Sequence, residues 1–259
     1  MAIKWGSRAS RLRTSHGEYL AKKITGSFTA LALAGSLLLS GAPAQAAKKP
    51  IDVTGFTATN QVISNSNCRQ IKVTAKIKKS YSGLKNVGFW LSTSVSRGGG
   101  EVASAFFMDT TTDYVQLCPS FDGLGAYKIG PTDVAVDYEY VDRDGYLSYG
   151  FSDYWDATGK TIYLRGKTQS TLAAKRSGKN LTLTTTASVY APEKYRYAQY
   201  NPTAKIQVKS GKTWKTIKSV KLKSGKASIK LKDSKKKTYR VAIPQATWAT
   251  ASTTKSITK

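Results

Sequence analysis

The chain has 259 residues, with 41 Lys and Arg against 15 Asp and Glu, a formal net charge of +26, two cysteines and a single histidine, His16. Two thiols and one imidazole cannot supply the four ligands of a structural zinc site, and the nucleophile systems built around histidine have at most one residue to draw on. Hydrophobic residues still make up 40% of the chain, enough to fill a core, so the cationic excess has to be accommodated on the surface of a folded protein.

In chain order, residues 1–46 read as an export signal. Lys4, Arg8, Arg11, Arg13, Lys22 and Lys23 form a basic start, Ile24 to Leu39 is apolar and small, and Ala44-Gln45-Ala46 is a cleavage site. Thr25, Ser27, Thr29 and Ser36 make the apolar stretch too polar for a comfortable membrane span. His16 leaves with this segment, so the mature chain is expected to carry no histidine, no further membrane span and no covalent anchor. It is expected to be secreted and retained at the cell wall.

Residues 47–165 carry 13 basic against 12 acidic residues. Their periodicity is two: Ile71, Val73, Ala75 and Ile77 alternate with polar residues, as do Val134, Val136, Tyr138 and Tyr140, which predicts half-buried strands. Further strands are predicted near Val53 to Thr59, Val87 to Ser92, Val102 to Asp109, Tyr114 to Cys118, Tyr146 to Phe151 and Thr161 to Arg165, with Gly98 to Gly100 at a hairpin tip. Outside the cell, Cys68 and Cys118 are expected to form a disulfide worth roughly 3 to 5 kcal/mol in loop entropy. Seven acids between Asp133 and Asp156 lie among tyrosines and Trp155. Four readings compete there: outward acids with an ordinary turn at Asp142 to Gly145, a loose calcium site, a carbohydrate- or protein-binding patch at Tyr149, Tyr154 and Trp155, and the paired carboxylates of a cell-wall glycoside hydrolase. The first is preferred, so no catalytic residue, metal or cofactor is expected.

The charge then changes abruptly. Residues 166–259 hold 22 Lys and Arg against two acids, Glu193 and Asp233, and Gly166 to Ser170 is a plausible linker. Apolar faces recur at Leu181 to Val189, Ala204 to Val208, Ala227 to Leu231 and Tyr239 to Ile243, each alternating with polar residues. Lys205, Lys209, Lys226, Lys230 and Lys232 fall on the other phase, and Lys218 sits where the alternation slips, which predicts a bulge near Lys218 and Ser219. The lysines therefore stand on the solvent side of folded strands, because disordered tails lack such apolar faces. Lys-Ser-Gly at 209–211 and again at 223–225 predicts two hairpin turns.

The run "NLTLTTTASVYAPEKYRYAQYNPTAKIQVKSGKTWKTIKSVKLKSGKASIKL", followed by "TYRVAIPQATWATAS", resembles the immunoglobulin-like repeats of secreted surface proteins of Gram-positive bacteria. The preceding half is similar to the disulfide-bearing partner domains of such proteins. The resemblance implies an adhesive, binding or spacer module and transfers no catalytic residue. The expected architecture is all-β, with a signal peptide over residues 1–46 and two tandem immunoglobulin-like sandwiches over 47–168 and 169–259.

The expected activity is non-enzymatic. Lys205, Lys209, Lys218, Lys226, Lys230 and Lys232 would hold an anionic cell-wall polymer or another polyanion without sequence specificity. The alternative is a carbohydrate or surface-protein binder acting through Tyr149, Tyr154 and Trp155.

Overall fold

The computed structural model describes residues 49–259, and the expected signal segment lies outside the described residues. Those residues form an all-β chain of two sandwiches in tandem, and no helix among them is long and apolar enough to cross a membrane.

The first sandwich runs through β1 (Ile51–Thr57), β2 (Gln61–Ile63), β3 (Arg69–Lys79), β4 (Leu84–Arg97), β5 (Gly100–Met108), β6 (Thr112–Leu117), a single helical turn α1 (Pro119–Asp122), β7 (Gly125–Val141), β8 (Leu147–Asp156) and β9 (Lys160–Gly166). A three-stranded sheet, β1-β3-β6, faces a larger one ordered β2-β9-β7-β4-β5. The long strand β7 changes partner midway: Gly125 to Ile129 pair with β9, and Thr132 to Val141 pair with β8. The change falls at Pro131, which has no amide proton to give to a ladder. Between the sheets lie Ile71, Val73, Leu91, Phe107, Tyr127, Ile129, Val136 and Leu164, each almost fully buried. Cys68 and Cys118 are disulfide-bonded as expected. They lie one residue beyond the terminal pair Arg69 with Leu117 of β3 and β6, so the bridge joins neighbouring strands of one sheet rather than the two sheets.

The second sandwich contains β10 (Thr168–Ser177), β11 (Asn180–Ala191), a 3-10 turn (Pro192–Lys194), β12 (Arg196–Gln199), β13 (Thr203–Ser210), β14 (Thr213–Lys221), β15 (Lys226–Lys232), β16 (Thr238–Ile243) and the short β17 (Ser252–Thr253) and β18 (Ile257–Thr258). In one sheet β11 is flanked by β10 on one side and by β12 and β15 on the other; the facing sheet is ordered β14-β13-β16, with β17 and β18 completing its far side. Leu181, Leu183, Ile206, Tyr239, Val241 and Ile243 fill the space between.

Three details depart from the sequence expectation. First, the stretch read as a linker is structured, because β9 ends at Gly166 and β10 starts at Thr168. The peptide groups around it are bonded on both sides: Gly166 donates to the Trp248 carbonyl, Lys167 donates to Ile63, and Tyr190 donates to the Lys167 carbonyl. A side chain at Gly166 would meet the Tyr190 carbonyl oxygen at 2.5 Å, so glycine here serves close approach rather than freedom. Second, the turn at 223–225 closes only one pair: Lys223 and Lys226 exchange both backbone bonds across Ser224 and Gly225, and no β14–β15 ladder follows. It carries the chain from β14 in one sheet to β15 in the other, with Gly225 at φ 71° donating to Asn201 Oδ1 at 2.7 Å. The turn at 209–211 does close the β13–β14 hairpin. Third, the bulge sits at Ile217, one residue earlier than expected, because Ile206 pairs with Lys218 while Gln207 pairs with Thr216.

One residue belongs to both halves. Along β11 the odd positions Leu181 to Val189 face the second core, so Tyr190 is on the outward phase. It is buried all the same, because the first sandwich covers it: Tyr190 is part of the first core, its hydroxyl is 2.8 Å from Ser66 Oγ, and its ring meets Tyr197 edge-on at 5.4 Å.

Candidate functional site

The cationic face begins with strand register. On β11 the outward residues Thr182, Thr186 and Asn180 each have a neighbour on both sides: Lys175 and Lys230 flank Thr182, Ser177 and Lys232 flank Asn180, and Thr171 and Lys226 flank Thr186. Paired residues share a face, so Lys175, Lys226, Lys230 and Lys232 stand together on one exposed sheet, with Lys179 at the adjoining turn. Lys175, Ser177, Asn180, Thr182 and Lys230 line a shallow depression of about 500 Å³. Flanking lysines two strands apart are separated by about 10 Å at the backbone.

The six lysines singled out in the sequence are thus not one array. Lys226, Lys230 and Lys232 share this sheet, whereas Lys205 and Lys209 lie on β13 in the opposite sheet. Lys218 pairs with Ile206, whose side chain faces the core, so it belongs to the inner side of β14 and is exposed only because β14 is an edge. Period-two alternation assigns residues to a phase within one strand, and it does not say which sheet a strand joins. Lys175 was missed because the strand that carries it, β10, has few large apolar residues to signal it.

The lysine-rich loop after β15 is organised around its one acid. Asp233 accepts from Lys237 Nζ at 2.9 Å, from the Lys235 amide at 3.0 Å and from the Tyr239 hydroxyl at 2.9 Å. Arg176 donates to the Asp233 carbonyl and also to those of Lys235 and Lys259. The Lys237 ammonium, then the Lys235 amide and the Tyr239 hydroxyl, hold the Asp233 carboxyl down at about 2, while burial, reinforced by Asp233, pushes Tyr239 up to about 12. A carboxyl depressed below its unfolded value of 3.8 contributes stability that is complete above that pH and lost as pH falls through about 2. The thermal midpoint should therefore drop between pH 4 and 2, and Asp233→Asn should start lower at neutral pH and lose less over that interval, as followed by circular dichroism.

The first sandwich presents a different face. On β8, Tyr149, Phe151, Asp153 and Trp155 are exposed, while Tyr154 points the other way: its hydroxyl donates to the Ile51 carbonyl and accepts from the Ile51 amide, and burial raises its pKa. The structure therefore separates Tyr154 from Tyr149 and Trp155, since adjacent strand residues point to opposite faces. What joins Tyr149 and Trp155 instead is Phe151, with Trp90 of β4 at 5.9 Å from its ring. Register extends this face across β7, where Glu139 pairs with Tyr149, Asp137 with Phe151 and Asp133 with Trp155. Asn86 donates to Glu139 Oε2 at 2.6 Å. Asp142 closes the β7–β8 turn, accepting from the amides of Tyr146 and Asp144 and from the Ser148 hydroxyl, and these bonds, the Tyr146 amide first, lower its pKa.

No protein-family model matches the sequence, and no curated protein matches it. Among solved structures, the chain is similar to the fibronectin(III)-like modules of Clostridium thermocellum CbhA, at 14% identity and a TM-score of 0.26, over 77% of this chain and 91% of that one. It is also similar to the D00-D0 domain of intimin, at 18% identity and a TM-score of 0.24, and to the D0-D1 domain of intimin, at 16% and 0.25, each over 80% of this chain and 97% of the other. At these scores the likenesses carry no argument, and the architecture rests on the sheets described above.

Proposed function

We propose that the protein is an exported, non-enzymatic binding module that holds an anionic polymer of the cell envelope through the lysine face of β10, β11 and β15. One observation carries the reading. Residues 166–259 contain 22 basic and two acidic residues, yet the described residues contain a single ion pair, Lys237 with Asp233, so the charge is left to meet an external anion. Lysine predominates over arginine, which suits hydrated point-charge attraction to a repeating polyanion better than bidentate recognition.

Binding to immobilised polyphosphate should weaken steadily with salt. Each of Lys175→Gln, Lys226→Gln and Lys230→Gln should reduce the slope of log K against log salt by about 0.7 to 0.9. Binding that ignores salt, or slopes unchanged in the triple variant, would remove this reading.

A further inference from the structure

We infer that the aromatic and acidic face of the first sandwich is a docking surface for a second copy of this chain, which it receives through the outer face of β13, β14 and β16. This goes beyond polymer binding and uses a different sheet.

The receiving face is laid out by four rows of paired residues. Lys85, Glu139 and Tyr149 form the first, Gly88, Asp137 and Phe151 the second, Met108, Trp90, Ala135 and Asp153 the third, and Phe106, Ser92, Asp133 and Trp155 the fourth. Tyr149 is 77% exposed, Phe151 58%, Trp155 57%, Met108 61% and Phe106 50%. Of the fourteen residues in these rows seven are apolar or aromatic and four are carboxylates, so the face combines exposed rings with negative charge. Burying such a face also buries its carboxylates, and an unpaired buried carboxylate is strongly unfavourable. The occupant must therefore bring cations, which the ring faces of Tyr149, Phe151 and Trp155 attract as well.

The chain itself carries the complement. Between Glu193 and Asp233 there is no acidic residue. On the outer face of that region Lys209 pairs with Trp214, Gln207 with Thr216 and Arg240, and Lys205 with Ser219 and Ala242. The Arg240 guanidinium lies 4.2 Å over the Trp214 ring and donates to Gln207 Oε1 at 2.7 Å, so an aromatic and an arginine are held in place among lysines. Trp and Arg are residues that protein interfaces favour, and neither occurs on the outward rows of the polymer-binding sheet. Because the two docking faces are different, the contact is heterologous, and a bound pair keeps one free face of each kind for further copies.

Sedimentation velocity on residues 47–259, which include both cores, tests this. At low salt the mean sedimentation coefficient should rise with protein concentration, and the rise should vanish in high salt. Asp133→Asn with Asp137→Asn should leave the protein monomeric, as should Lys205→Gln with Lys209→Gln, with near-ultraviolet dichroism confirming the fold of each. Mixed together, the two variants should form a one-to-one complex and nothing larger, since each supplies one intact face. Wild type that stays monomeric throughout, a mixture that forms no complex, or association that persists in either variant alone would overturn the proposal. Monomeric wild type whose tryptophan fluorescence instead responds to a neutral glycan or a foreign basic peptide, a response lost in Trp155→Phe, would assign the face to that occupant and also overturn it. Polyphosphate binding by the Asp133 and Asp137 variant should match wild type, so failure here is distinct from failure of polymer binding.

Discussion

Replacing Tyr190 with alanine is expected to destabilise the first sandwich by roughly 3 to 5 kcal/mol, the range for removing a large buried ring, although the residue belongs to a strand of the second. The ring is 7% exposed, packs within the first core and meets Tyr197. Its removal leaves a cavity that neither backbone can close, because the segment is fixed by the bond from the Tyr190 amide to the Lys167 carbonyl and by Ser66 Oγ donating to the Pro192 carbonyl. Tyr190→Phe keeps the ring and loses only the hydroxyl contact with Ser66, so its cost should be about 1 kcal/mol. Denaturant titrations of the two variants check the difference. The same reasoning makes residues 47–168 alone less stable than they are within the chain, since that fragment lacks the ring that completes its core.

Loss of the Cys68–Cys118 bridge is the second large effect. For a separation of 50 residues, loop entropy gives about 4 kcal/mol, and the location of the loop explains why that constraint matters. Between the two cysteines the chain leaves the small sheet at β3, builds the β4–β5 hairpin of the large sheet and returns as β6. The bridge therefore restricts both sheets at once. Cys68→Ser with Cys118→Ser, or the reduced protein, should unfold at markedly lower denaturant with the first sandwich leading, and fluorescence in a Trp214→Phe, Trp248→Phe background, where Trp90 and Trp155 remain, would report it. Equal stability with and without the bridge would contradict the estimate.

Much of the fold was legible before any coordinates. Alternation at Ile71 to Ile77, Val134 to Tyr140 and Leu181 to Val189 located strands because a strand with one buried face must repeat every two residues. Strand β10 escaped because Ser170, Leu172, Ala174 and Arg176 form a weak inward phase, and because Gly166 looked like punctuation when it is a point of close backbone approach. The aromatic face is half visible in the sequence: Tyr149 and Trp155 stand exposed on one side of β8, whereas Tyr154, next to Trp155 in the chain, lies on the opposite side because strand residues alternate.

The sequence by itself determined that the chain is built of strands, that residues 166–259 carry 20 of the 26 net positive charges, and that its lysines ride on a scaffold with an apolar underside. Those properties follow from residue type and period, which are local. Only the tertiary structure decided which strands become neighbours, and with that the division of the lysines between two sheets, the assembly of Trp90, Phe106, Phe151 and Trp155 into one surface, and the burial of an outward-phase tyrosine under the other sandwich. Strand pairing joins residues tens of positions apart through backbone hydrogen bonds that every residue but proline can make, so the pairing leaves no mark on composition and a face exists only once the sheet has closed.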